Sequence, residues 1–284
     1  MREYDAKTLR KLQLKELDIY EDFRTLCQKY GIPFFAFCGT AIGAMRHQGF
    51  IPWDDDIDVG FLRADYERFM SAALRELSDR YELVSARTHT HYPLMTTRMC
   101  IKGTRFVEEA LDGIDCPLGI FLDIYALDAV AADDKAMRKQ IRHAWFWSKL
   151  AILKEMPAPL IPLEGLMHRA AALACRVIHW GLNITRVSKR WIVRRYEYWA
   201  TLYNGQDTGR YADLSDTMPS KLLITREELF PLKEVPFEDI TIPLPNDVDA
   251  HLKRYYGDYM KLPPPEKRKN HYPAHLDFGD GDAE

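Results

Sequence analysis

The chain has 284 residues, 47% hydrophobic and 29% charged, with 39 Lys plus Arg against 42 Asp plus Glu for a formal charge of −3. That length buries a large core, that composition excludes global disorder, and the slight acidic balance recommends no nucleic-acid partner. Five cysteines, Cys27, Cys38, Cys100, Cys116 and Cys175, include no C-x-x-C pair, and the charged N-terminus has no apolar run of the signal-peptide kind; reduced thiols, no structural zinc and a cytoplasmic location are the expectation.

Apolar residues at Leu9, Leu12, Ile19, Phe23 and Leu26, with Leu14 and Leu17 partly filling the gap, predict a helix from Thr8 to Tyr30, ended by Gly31 and Pro33. PFFAFCGT (33–40) reads as a buried strand closed by a glycine, and TAIGAMRHQ (40–48) resumes helical spacing. DIDVGFL (56–62) alternates acid and apolar residues as a strand does, and RADYERFMSAALRELSDR (63–80) reads as a helix. Short strands are predicted near YELVSA (81–86), within 92–110 and at GIFLDIYALDAV (119–130), which is apolar apart from Asp123 and Asp128. Residues 133 to about 203 turn helical and aromatic, with a proline break at MPAPLIP (156–162). LFPLKEVPFEDITIPLP (229–245) predicts a hairpin, DVDAHLKRYYG (247–257) a short helix, and the polar stretch from Leu262 to Glu284 an irregular tail. The fold class is mixed α/β: a core over 1–132, a helical insertion over 133–220, and a segment over 221–284 that completes the core.

Asp54, Asp55, Asp56 and Asp58 are packed between apolar residues. On a strand Asp56 and Asp58 share a face, with Cα atoms roughly 7 Å apart. Two carboxylates so placed suit a divalent cation, Mg²⁺ (or Mn²⁺), which completes its shell with water and phosphate oxygens. The alternative, a solvated turn, is disfavoured by the apolar setting and by Asp123, isolated in a second apolar run. The Gly39–Thr40 turn before a helix offers backbone N–H groups to a phosphate. Arg46 and His47 end that helix, where they can fold over phosphates or simply complement the helix dipole. Arg98 and Lys102 stand at even spacing and can contact donor phosphates from one side, or be solvated edge cations. Trp53 reads more safely as a loop anchor than as a stacking platform.

The run GTAIGAMRHQGFIPWDDDIDVGFLRADYERF (39–69) closely resembles the signature of the LicD family of phosphotransferases, which includes the fukutin-related proteins. GIFLDIYALD (119–128) resembles that family's second block, and VPFEDITIPLPNDVDAHLKRYYGDYMKLPPPEKRKNH (235–271) its C-terminal block. The resemblance is thinnest over residues 133–221. It implies a nucleotidyltransferase-like mixed sheet flanked by helices, with a Gly-Thr turn at Gly39 and Thr40, a D-x-D strand at Asp56 and Asp58, and a third carboxylate at Asp123, acting as metal ligand or metal-linked base. It further implies transfer of a phospho-alcohol such as phosphocholine from a CDP-activated donor to a hydroxyl of a cell-surface glycan, a lipopolysaccharide or teichoic acid, or its lipid-linked precursor. The C-terminal block ends in a histidine, which makes His271 a phosphate or acceptor contact.

Two other functions fit the same residues. A nucleotidyltransferase forming a CDP-alcohol, or adding a nucleotide to a protein or small molecule, would use the same metal site and release pyrophosphate. A binding protein holding calcium would want more oxygen ligands and a D-x-D-x-D-G loop, which is absent. The basic, aromatic stretch from His168 to Tyr203 reads either as a peripheral contact with the inner face of an anionic membrane or as ordinary packed helices.

Overall fold

The computed structural model describes residues 3–159 and 163–279. Helix α1 (Ala6–Tyr30) is capped by the Asp5 carboxylate, which accepts the Lys7 and Thr8 N–H groups, and is stopped by Gly31 in the left-handed conformation. A short strand β1 (Phe35–Ala36) leads directly into α2 (Cys38–His47). The predicted strand over 33–40 is therefore only two residues long, and Gly39 and Thr40 lie in the first turn of α2 rather than before it. Then come β2 (Asp58–Leu62), α3 (Arg63–Glu76), β3 (Tyr81–Val84), β4 (Thr97–Ile101), β5 (Arg105–Glu108) and β6 (Phe121–Ala129).

The helical stretch comprises α4 (Asp134–Glu155), α5 (Gly165–Ile184) and α6 (Lys189–Ala200). Strand β7 (Arg210–Ala212) then returns to the core, pairing with Asp128 and Ala129 of β6, and β8 (Ile224–Thr225) pairs with β7. The sheet is thus rejoined ten residues before the expected limit at 220. The proline break at 156–162 lies partly outside the described residues. A single turn α7 (Arg226–Leu229) and the hairpin of β9 (Lys233–Phe237) and β10 (Ile240–Leu244) precede α8 (Val248–Tyr256). The expectation of an irregular tail is corrected by β11 (Pro273–Asp277), which pairs antiparallel with β5. Leu276 in β11 sits opposite the buried Phe106, so the tail gains a ladder and an apolar seat.

The main sheet runs in the order β1-β2-β6-β4-β3, with β7 and β8 extending it beyond β6. Within it β2 and β6 are parallel and the other pairs antiparallel, giving the mixed α/β fold expected from sequence. Phe23 of α1, Phe34, Phe61 and Phe69 interlock with ring centroids 4.8–5.6 Å from Phe23, fastening α1 and α3 to one face. Asp128 is not at the acidic site. It is fully buried, accepts two bonds of 2.8 Å from Arg63, and also receives the Asn204 amide, tying α3 and the loop after α6 to β6.

Candidate active site

The parallel pairing of β2 with β6 builds the site. Ile57 accepts the Asp123 N–H at 2.9 Å, and in register Asp58 stands abreast of Asp123. Asp56, two residues before Asp58, shares its side. Carboxylate oxygens of Asp56, Asp58 and Asp123 all lie within 4.8 Å of one another, and all three residues are buried. Asp58 is held from α2: its Oδ2 accepts the Gly39 N–H at 3.2 Å, and its own N–H donates to Thr40 Oγ1 at 2.7 Å. The other oxygen, Oδ1, is buried with no hydrogen-bond partner among the described residues.

Three ionised carboxylates this close repel by roughly 3.5 kcal/mol per pair at an effective dielectric of about 20. The pKa values shift accordingly. Burial, then Asp56 and Asp123, push Asp58 well above the usual carboxylate range. Burial raises Asp56 to about 7, with His271 opposing and Asp55 and Asp123 reinforcing. Asp123 is raised by burial against the pull of Arg98. A compact, dry cluster of hard oxygens with an orphaned acceptor fits a small divalent cation, whose charge would restore all three to the ionised state.

Around this trio the chain supplies further groups. Asp54 belongs to the site: its Oδ2 lies 2.9 Å from where a Cβ on Gly39 would stand, so a side chain at 39 would push that carboxylate aside. Gly43, one turn on, would put a Cβ 2.5 Å from the Gly49 carbonyl oxygen, which explains the second glycine of the G-x-x-x-G spacing. Asp55 points the other way, accepting the Tyr4 hydroxyl at 2.7 Å and the His271 N–H at 2.8 Å, so it clamps both chain ends against the acidic loop. The His271 ring follows, with Nδ1 3.2 Å from Asp56. Burial opposes its charge, but Asp56 and Asp55 outweigh it and hold the imidazolium form well above its usual range; with 42% of the side chain exposed, water tempers that effect. Glu16, from the middle of α1, is buried against the same loop with Oε2 lacking a hydrogen-bond partner among the described residues, and burial and Asp56, Asp55 and Asp54 raise its pKa.

The expected phosphate-contacting cations are placed differently. Arg98 is buried in an ion-pair network, donating to Asp123 at 3.2 Å and Glu108 at 2.8 Å, with its guanidinium 3.9 Å from the Phe121 ring centroid. It is the counter-ion of the third carboxylate rather than an open edge cation. Lys102 follows β4, donates to the Ser78 carbonyl at 2.6 Å and lies 3.5 Å from Glu82, apart from the acidic cluster. Arg46 bonds the His47 ring at 2.9 Å and the Tyr259 carbonyl, with its charge felt by Asp54. Trp53 packs on Arg268, 4.3 Å from its guanidinium to the ring centroid.

The family profile described as LicD/FKTN/FKRP, nucleotidyltransferase domain, matches residues 31–108. Over 283 residues, 93% of this chain and 96% of the relative, the sequence is 29% identical to the lipopolysaccharide cholinephosphotransferase LicD of Haemophilus influenzae. The chain is similar to the LicD family, over residues 31–108 by its profile and over nearly the full length by this relative. Shorter matches join it to uncharacterized proteins of Rickettsia typhi, 39% identical over 67 residues (22% of each chain), and Rickettsia prowazekii, 43% over 54 residues (18% of this chain and 20% of the relative).

The LicD match spans Gly39, Thr40, Arg46, His47, Asp56, Asp58, Arg98 and Lys102, while Asp123 and His271 lie beyond it and are joined to it by folding. Sequence reasoning missed Glu16, Tyr4, Glu108 and the clamp made by Asp55. Glu16 had a signal: Leu12, Ile19, Phe23 and Leu26 are buried at helical spacing, and position 16 is the gap in that stripe, filled by an acid. Of the two leucines read as partly filling it, Leu14 is exposed and Leu17 packs half-buried against the core. Tyr4 and Glu108 carried no comparable signal.

Proposed function

We propose that this LicD-like protein transfers a phospho-alcohol, phosphocholine in the first instance, from a CDP-activated donor to a hydroxyl of a lipopolysaccharide-type glycan or its lipid-linked precursor. The observation that carries this is the convergence of Asp56, Asp58 and Asp123, with Asp58 bonded to the Gly39–Thr40 turn, in a chain similar over nearly its full length to a lipopolysaccharide cholinephosphotransferase. Asp56, Asp58 and Asp123 would hold Mg²⁺ or Mn²⁺, which when bound supplies charge neutralisation to a diphosphate and its leaving group. The chain's own groups do the rest. The first turn of α2 presents backbone N–H groups at its positive end, and Arg46 and His47 flank it as phosphate contacts. The acceptor hydroxyl oxygen bonds to the phosphorus carrying the alcohol, the bond from that phosphorus to the CMP oxygen breaks, and CMP leaves. Asp123, ionised beside the cation, is the group we assign to take the hydroxyl proton, and Arg98 holds it in place.

Purified protein incubated with a panel of CDP-alcohols, Mg²⁺ and lipopolysaccharide acceptor should release CMP; no CMP from any donor would overturn the reading. The matched family's description as a nucleotidyltransferase domain favours one second reading, synthesis of a CDP-alcohol. Pyrophosphate in place of CMP would select it.

A further inference from the structure

Helix α5 is unlike the two helices beside it. The neighbouring α4 and α6 each bury residues along their length, α6 through Ile192, Val193, Tyr196 and Ala200 with Trp199 stacked on His143, while Trp191 and Tyr198 of α6 stay half exposed. None of the 20 residues of α5 is buried. It rests on α4 by one narrow edge, where the His179 ring donates to the Leu153 carbonyl at 2.9 Å and Asn183 exchanges hydrogen bonds with Lys154 at 2.7 and 3.2 Å. The opposite edge is apolar and open: Leu166 is 82% exposed, Leu173 and Val177 63%, Trp180 60% and Ile184 76%. Their spacings of seven, four, three and four residues line them up along one side of the helix, over about 27 Å at 1.5 Å per residue.

The charges on this helix have one sign. From Gly165 to Ile184 there is no Asp or Glu, while Arg169 and Arg176, seven residues apart, run along one margin of the apolar line, and Arg186 follows its end. A long arginine at that margin can keep its guanidinium among anionic headgroups while its stem covers apolar surface. A second copy of the same face is a poor occupant, because a two-fold contact would bring these arginines against each other with no acid on α5 to pair them. The helix is not long and apolar enough to cross a membrane; among the described residues no helix is. An amphipathic helix of this kind lies in the plane of the interface instead.

We propose that the outer face of α5 seats the protein on an anionic lipid bilayer, with Leu173, Val177 and Trp180 entering the headgroup boundary and Arg169 and Arg176 meeting lipid phosphates. This centres the membrane-contacting segment anticipated over residues 168–203 on one face of α5, the helix there that buries none of its residues, whereas α6 buries one face on α4. It is independent of the donor chemistry, because the surface recognised is lipid and not glycan.

The test is flotation of the full-length protein with vesicles of phosphatidylethanolamine and phosphatidylglycerol, against vesicles of phosphatidylcholine alone. The wild type should float with the anionic vesicles and stay behind with the neutral ones. Leu173→Glu combined with Val177→Glu should lower the bound fraction on the order of 10-fold, and Arg169→Glu with Arg176→Glu should abolish the preference for anionic lipid. Circular dichroism of each variant should match the wild type, because the altered side chains are exposed. A second readout needs no disruptive variant: brominated acyl chains should quench a component of the tryptophan emission that is missing in Trp180→Phe. Failure of the wild type to float, flotation unchanged in both double variants, or quenching identical in Trp180→Phe would overturn the proposal. So would a wild-type dimer in solution that Leu173→Glu converts to monomer, since the face would then belong to a second copy.

Discussion

Asp58→Asn separates a residue kept for its charge from one kept for its shape. Asparagine retains an oxygen to accept the Gly39 N–H, and the bond from the Asp58 backbone to Thr40 Oγ1 is untouched. What is lost is one negative charge facing Asp56 and Asp123, whose oxygens stand within 4.8 Å. Each such pair is worth roughly 3.5 kcal/mol at a dielectric of about 20. Protonation already relieves part of that repulsion, because burial and both neighbours raise the Asp58 pKa. The net gain for the metal-free fold should be about 1–3 kcal/mol, which for a chain of this size raises Tm by roughly 2–8 °C. Thermal unfolding followed by circular dichroism in chelator at pH 8 reads this directly. Added Mg²⁺ should raise the Tm of the wild type and leave that of the variant unchanged, and transfer should be lost. A variant that melts several degrees lower in chelator, or that still responds to Mg²⁺, would show that the carboxylate is a structural acceptor and would refute the reasoning.

Arg98→Met should cost about 3–5 kcal/mol in urea unfolding, because it strands Asp123 and Glu108 without their counter-ion; a raised KM with unchanged stability would make Arg98 a donor contact instead. The metal-free protein should lose stability as pH rises from about 4 to about 7. Asp56 has a folded pKa of about 7 against an ordinary 3.8, so the folded state binds more protons across that window, and His271, raised above its ordinary 6.5, adds a loss of the same sign only above that value. Urea midpoints measured in chelator that climb with pH over that window would contradict it. His271→Ala keeps the backbone N–H that Asp55 accepts, so the fold should persist with only the stability of the ring's ion pair with Asp56 lost in chelator, while loss of the ring should lower transfer roughly 10- to 100-fold. Unfolding of that variant, or full activity, would refute that division of labour.

Periodicity made the long helices, the strand from Asp58 and the hairpin legible, because burial of one face writes its spacing into the chain, although Asp56 stands two residues before that strand begins. It misjudged β1 and the tail. β1 is set by two rungs to β2, and β11 exists only because β5 offers an edge, so neither has a local pattern of its own. Within the site, Asp56 and Asp58 could be paired from parity, but the abreast position of Asp123 depends on the β2–β6 register, and its counter-ion Arg98 on the β4–β6 register. The same limit explains Arg98, an even-spaced cation in sequence that folding turns inward onto Asp123 and Glu108. Asp55 was the hardest to place. Its partners, Tyr4 and His271, are 51 and 216 residues away, and no spacing rule reaches them.

The central claim is that the carboxylate cluster carries out transfer of a phospho-alcohol, and phosphorus NMR of the complete reaction addresses it most directly. With CDP-choline, lipopolysaccharide acceptor and Mg²⁺, the account predicts that the diphosphate resonances give way to CMP and to a phosphodiester on the acceptor. Both products should be absent with chelator and with Asp58→Asn. A phosphodiester that still forms in chelator or in that variant, or a diphosphate that persists with every CDP-alcohol and acceptor supplied, would contradict it.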